Sequence, residues 1–134
     1  MEAVNILIVD DCPVMRLIIR KTIYLCPFET QNIIEAGDGD EGLKWVRNMH
    51  FDLVIADLNM PVLSGSEMIA KMRVDPDFDS VSILTVSAES NDIRVGILSN
   101  LTDGFVHKPF SPEHLRNKIL KVLEKRAIID TDLS

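Results

Sequence analysis

Val4-Asn5-Ile6-Leu7-Ile8-Val9, followed at once by Asp10-Asp11-Cys12-Pro13, is the passage from which the fold class is read. Six residues with hardly a polar interruption suit a strand covered on both faces, as in a parallel sheet flanked by helices; a strand with one wet face would alternate. Pro13 suits the first turn of a helix, where its missing N–H costs nothing. The passage therefore predicts a βα unit with two carboxylates in its turn.

The same alternation runs outward from there. Further candidate strands are Asn32 to Ala36, Leu53 to Ala56, Val81 to Val86 and Gly104 to Val106. Leu53 to Ala56 and Val81 to Val86 are again nearly unbroken apolar runs, which predicts central positions. Between them lie apolar stripes of helical spacing: Leu43 and Val46 with Met49 or His50; Met68, Ile69 and Met72; Ile93, Ile97 and Leu101. The last helix opens with Ser111 as cap, Pro112 and Glu113, and carries Leu115, Ile119, Val122 and Leu123. Five βα units predict an α/β fold: a five-stranded parallel sheet with helices on both faces. Residues 1–127 form one domain, 75–80 a polar loop within it, and 128–134 a short C-terminal tail expected to fray.

Composition excludes several classes. The 134 residues carry 14 basic and 21 acidic side chains, a net charge of −7, which argues against nucleic acid as a partner. No apolar run approaches the roughly 20 residues needed to span a bilayer. Cys12 and Cys26 have no metal-type spacing, and Met1-Glu2-Ala3 lacks the basic start of a secretory signal, so a reduced, cytoplasmic setting without membrane attachment is expected. A chain of this length buries roughly 68–70% of its unfolded surface and needs no staple.

Ligands of open parallel sheets bind beyond the carboxyl ends of the strands. The residues there are Asp10-Asp11, Asp57, Ser87-Ala88 and Lys108-Pro109. Each has a plain alternative: the Asp pair or Ser87 as helix caps, Asp57 as the start of a turn, Lys108 as a surface lysine. Taken together, those alternatives require four coincidences at one edge. Three clustered carboxylates repel unless one is protonated or a cation neutralises them, and an oxygen-only donor set suits Mg²⁺ better than Zn²⁺. A carboxylate beside such an ion, an ammonium and a hydroxyl is equipped to accept a phosphoryl group, with Asp57 attacking in line.

With these residues in view, the chain from about Val4 to Leu123 resembles the receiver domains of two-component response regulators. The resemblance rests on Asp10-Asp11, on Asp57-Leu58-Asn59-Met60-Pro61 with Gly65, on Ser87-Ala88 and on Lys108-Pro109-Phe110. It implies the flavodoxin-like strand order 2-1-3-4-5, an order known for the chemotaxis member of the family. It implies Asp57 as the phosphorylated residue, with Asp10, Asp11, Asp57 and the main-chain carbonyl of Asn59 around Mg²⁺, Asp10 largely through water. Lys108 would pair with the phosphoryl group, Ser87 would hydrogen-bond it, and Lys108-Pro109 would be cis. Phe105 matches the switch aromatic, inward in the active form. One hydrogen bond from Ser87 to a charged phosphoryl supplies about 1.5–3 kcal/mol, less than the roughly 5.5 kcal/mol of a full population swing, so a graded shift is expected, with Phe105 already inward part of the time.

The resemblance further implies a histidine kinase as phosphoryl donor and a protein target bound at the helix four, strand five, helix five face. The chain would be a switch that catalyses its own phosphorylation and dephosphorylation rather than an enzyme with a separate substrate; a lifetime tuned by Asn59 and Glu89 is expected to be short. No attached output domain is expected after helix five. The alternative is a relay intermediate that passes phosphate to a histidine phosphotransfer protein. A phosphohydrolase would want an acid where Asn59 stands. At the end of helix four, Leu101 replaces the family's usual glycine, and Asn100 is the candidate left-handed residue.

Overall fold

The computed structural model describes residues 3–133, and of residues 126–133 the backbone alone. Five parallel strands, β1 (Val4–Val9), β2 (Thr30–Ala36), β3 (Leu53–Ala56), β4 (Ser82–Ser87) and β5 (Gly104–His107), lie in the order β2-β1-β3-β4-β5. The helices α1 (Pro13–Tyr24), α2 (Gly39–Asn48), α3 (Gly65–Arg73), α4 (Asp92–Ser99) and α5 (Pro112–Leu133) join them, with a 3-10 turn at Pro76–Phe78 ahead of β4. The order expected from the resemblance is thus present. Strand ends differ by one or two residues from the apolar runs, because polar Thr30, Ser87 and His107 continue the backbone ladders, with Gln31 left at an irregularity in the pairing with β1.

Strand alternation divides the interior into two cores. Ile6, Ile8, Ile55, Leu84 and Val86 face one side, where Ile19 and Ile23 of α1 and Leu115, Ile119, Val122 and Leu123 of α5 cover them. Leu7, Val9, Val54 and Ile83 face the other, against Leu43 and Val46 of α2 and Met68, Ile69 and Met72 of α3. Each fully buried aliphatic side chain contributes about 1.5–3 kcal/mol, so the three central strands hold most of the driving force. Helix starts are fixed locally: Asp38, Ser64, Asn91 and Ser111 each accept a hydrogen bond from the amide three residues on.

Two expectations need correction. The stripe Ile93, Ile97, Leu101 is not the inner face of α4: Ile93 and Ile97 are exposed, and Leu98 is the buried residue, with Leu101 half-buried behind it. Apolar side chains stand on both sides of this short helix, so hydropathy alone did not fix its rotation. Asn100 does not adopt a left-handed conformation; its φ is −77°, and the turn closes by a bond from the Leu101 amide to the Leu98 carbonyl. Beyond residue 127 the backbone of α5 runs on as helix through residues 128–133, the segment expected as a tail, while Ser134 lies outside the described residues.

Remote from the strand carboxyl ends, Arg73 at the end of α3 ties several elements together. Its guanidinium donates to the carbonyls of Leu101, Phe78 and Val81 and meets Asp103, whose carboxylate also accepts from the Ile83 amide. Among the described non-glycine residues only Val62, in the loop between β3 and α3, has positive φ, at 67°. A β-branched residue there costs on the order of 1–3 kcal/mol, and Val62 is 83% exposed, so it recovers nothing by packing. Val62→Asn is expected to raise stability by about 1 kcal/mol, read as a higher urea midpoint at unchanged m-value. An unchanged or lower midpoint would show that the loop is not strained.

Candidate functional site

The chain leaves β1 towards β2 on one side and later enters β3 on the other, so the loops at the carboxyl ends of β1 and β3 diverge and open a crevice. Asp10 and Asp57 directly follow those two strands, which the parallel ladder holds in register from Ile6–Leu53 to Val9–Ala56. Lys108 follows β5, and Ser87 closes β4. The sheet thus brings together the acids and the amine that the sequence singled out.

One carboxylate oxygen from each of Asp10, Asp11 and Asp57 lies within 4.8 Å of the others. Asp10 is buried and fully engaged: one oxygen accepts from the Cys12 amide at 2.9 Å and the other from Lys108 Nζ at 2.8 Å. Asp57 is nearly buried; its Oδ2 meets Lys108 Nζ at 3.3 Å and its Oδ1 accepts from the Asn59 amide at 3.4 Å. Asp11 is exposed. Burial opposes the charge on Lys108, but the hydrogen bonds and charges of Asp10 and Asp57 outweigh it and hold its pKa above the ordinary lysine value. One ammonium against three carboxylates leaves an excess of negative charge that a divalent cation would offset. The donors are oxygens only, and at least Asp11 and Asp57 retain free lone pairs, so the residues fit Mg²⁺.

Around these groups the loops are held in place. Arg16 of α1 donates to the Asp10 carbonyl at 2.6 Å and pairs with Glu35 of β2 at 3.0 Å, which fixes the acidic turn from behind. A side chain at Gly65 would overlap the Asp57 carbonyl oxygen, so α3 approaches Asp57 as closely as backbone permits. Ser87 is buried, and its Oγ accepts from the Glu89 amide at 3.2 Å. The Asn59 side chain donates to Glu89 Oε2 at 3.2 Å, bridging the loops after β3 and β4. The Lys108-Pro109 bond is cis. Phe105 is half-buried against the α2–α3 core, its ring 4.5 Å from that of His107.

Arg16 and Arg94 escaped the sequence reading. Each contacts residues far away in the chain, and the only local trace was an arginine one or two turns into a helix that starts at the rim. Cys12, the residue next to the acids, caps α1 without a side-chain bond. Among the described residues no helix is long and apolar enough to cross a membrane.

Residues 6–120 match the response regulator receiver domain. The chain is 34% identical over 122 residues to the chemotaxis protein CheY of Pseudomonas aeruginosa, covering 90% of this chain and 97% of that protein. It is 33% identical over 119 residues to hybrid signal transduction histidine kinase D of Dictyostelium discoideum, of which it spans only 7% of the length. Among solved structures, the response regulator TrrA of Thermotoga maritima in complex with Mg²⁺ and beryllofluoride superposes with a TM-score of 0.76 at 32% identity, covering 89% of this chain and 98% of that one.

Proposed function

Because the chain belongs to the response regulator receiver family, the phosphoacceptor domains of two-component systems, we propose that Asp57 is its acceptor, with Lys108 and Ser87 as the groups that receive the phosphoryl oxygens. The observation that carries this reading is the Lys108 ammonium shared between Asp10 and Asp57 at 2.8 and 3.3 Å beside the exposed Asp11.

Asp57 attacks phosphorus through a carboxylate oxygen while the P–N bond to a donor kinase's histidine breaks and the imidazole departs. Asp10, Asp11, Asp57 and the Asn59 carbonyl would hold Mg²⁺, which when bound supplies charge to offset the phosphoryl oxygens. Lys108 already points at Asp57 and needs only to release Asp57 Oδ2 to reach an equatorial oxygen. Ser87 Oγ, which accepts from the Glu89 amide, turns its O–H to donate to the phosphoryl group, which draws the loop after β4 inward. Phe105, already half-buried, follows as a graded shift, and the face made by α4, β5 and α5 carries the change to a protein partner. Water later cleaves the acyl phosphate, which resets the switch. The match to CheY over nearly its whole length favours a switch over a relay intermediate.

Intact-mass analysis after incubation with acetyl phosphate tests this reading. One added phosphoryl group is expected with Mg²⁺ and none when the metal is chelated; uptake without metal, or no uptake at all, would sink it.

A further inference from the structure

The loop after β4 and the loop after β3 are joined by a cation that does not touch Asp57. Arg94, in the first turn of α4, donates from Nη1 to both Asn59 Oδ1 at 3.0 Å and Glu89 Oε2 at 2.9 Å, and from Nη2 to Ser66 Oγ of α3 at 2.7 Å. Asn59 also donates to the same Glu89 oxygen, and the Asn91 amide holds the other one at 3.0 Å. The result is a closed ring that links two loops of the rim: Asn59 from the Asp57 loop, Glu89 from the Ser87 loop, and one guanidinium fixing both.

The charges make this more than packing. A phosphoryl group at Asp57 arrives as a dianion next to a rim that already carries three carboxylates, and Glu89 would be a fourth. Like charges a few ångströms apart at a protein surface penalise one another by factors of ten or more in equilibrium constants. Arg94 is the one cation in contact with Glu89 among the described residues. Its planar fork serves three acceptors at once, which a lysine ammonium does not reproduce with the same geometry.

We infer that Arg94 is a positioning residue for phosphoryl acceptance: it neutralises Glu89 and holds it, with Asn59, aside from the incoming group, so that α4 and the acceptor site are coupled through one side chain. This inference rests on the assignment of Asp57 as acceptor. Arg94 acts through Glu89, so its removal should matter only while Glu89 keeps its charge.

Calorimetric titration of the full chain with beryllofluoride at saturating Mg²⁺, repeated for Arg94→Ala, Arg94→Lys, Glu89→Gln and the double variant Arg94→Ala/Glu89→Gln, tests it. Arg94→Ala is expected to weaken binding roughly tenfold, with Arg94→Lys in between, and the loss should shrink in high salt as charges are screened. In the Glu89→Gln background Arg94→Ala should change the affinity less than twofold. A loss that persists undiminished in that background, or Arg94→Ala binding as tightly as the wild type, overturns the inference. If the wild type itself binds no beryllofluoride, the acceptor assignment fails instead. Unfolding midpoints of each variant separate a fold defect from an affinity change, because a purely structural role moves the midpoint and is not rescued by Glu89→Gln.

Discussion

Asp57→Asn will take up no phosphoryl group from acetyl phosphate and Mg²⁺, and in metal-free buffer it will be more stable than the wild type. The first result follows from the acceptor oxygen: an amide is not a nucleophile towards phosphorus under conditions where a carboxylate is. The second follows from charge. Three carboxylates lie within 4.8 Å while a single ammonium serves two of them, so folding gathers more negative charge than it neutralises. Replacing Asp57 removes one like charge and leaves Lys108 in its shorter contact with Asp10, a net gain on the order of 1 kcal/mol at effective surface dielectrics. Mg²⁺ reverses the order. At a hundredfold excess over its dissociation constant it stabilises the wild type by about 2.7 kcal/mol, and the variant, short of one ligand, by much less. Urea melts with and without Mg²⁺, together with intact mass, check all three statements. A phosphorylated Asn variant would move the acceptor elsewhere, and an Asn variant less stable than wild type without metal would mean that repulsion is not the dominant force at the rim.

Gly65→Ala is expected to be the most damaging single methyl group in the molecule. The new Cβ would overlap the Asp57 carbonyl oxygen and lie 2.7 Å from its carbonyl carbon and 3.1 Å from Leu58 Cα, all backbone that cannot rotate away. Either α3 lifts from the sheet, uncovering Met68, Ile69 and Met72, or the Asp57 turn shifts. Overpacking of this kind costs about 3 kcal/mol or more, and here the displaced backbone carries Asp57, the proposed acceptor, so Mg²⁺ affinity should fall together with stability. Gly96→Ala is the control. A Cβ at Gly96 meets nothing within 4 Å, and the exposed helical position gains about 0.5–1 kcal/mol from the loss of glycine's unfolded-state freedom. Opposite signs for the two variants in one denaturation series are the expected outcome; equal effects would mean that the close approach of α3 to Asp57 is not required.

The sequence made β1, β3 and β4 legible because residues buried on both faces leave no ambiguity of period, and it made Asp10, Asp11, Asp57 and Lys108 legible because a strand's last apolar residue marks where the rim begins. Other features follow from tertiary geometry. α4 carries Ile93 and Ile97 as well as Val95 and Leu98, so periodicity allowed two rotations, and only its docking on the second core selected Leu98. The Arg94 ring escaped for the same reason, since its partners stand on other loops and meet it only once that rotation is set. Valine at 62 gave no sign of a left-handed residue, because the chain adopts that conformation there despite the side chain.

Arg73 gives the molecule a fixed corner. Its bonds to the carbonyls of Leu101, Phe78 and Val81 pin the exit of α4 to the start of β4, at the end of the sheet away from the acids. The entrance of the same helix hangs on the Arg94 ring, which ties it to the loop after β3 and to α3. With its tail anchored and its head tethered, such a helix can pivot only about the Arg73 corner, so any rearrangement that follows from the proposed function is expected to displace Ile93 most and Leu101 least.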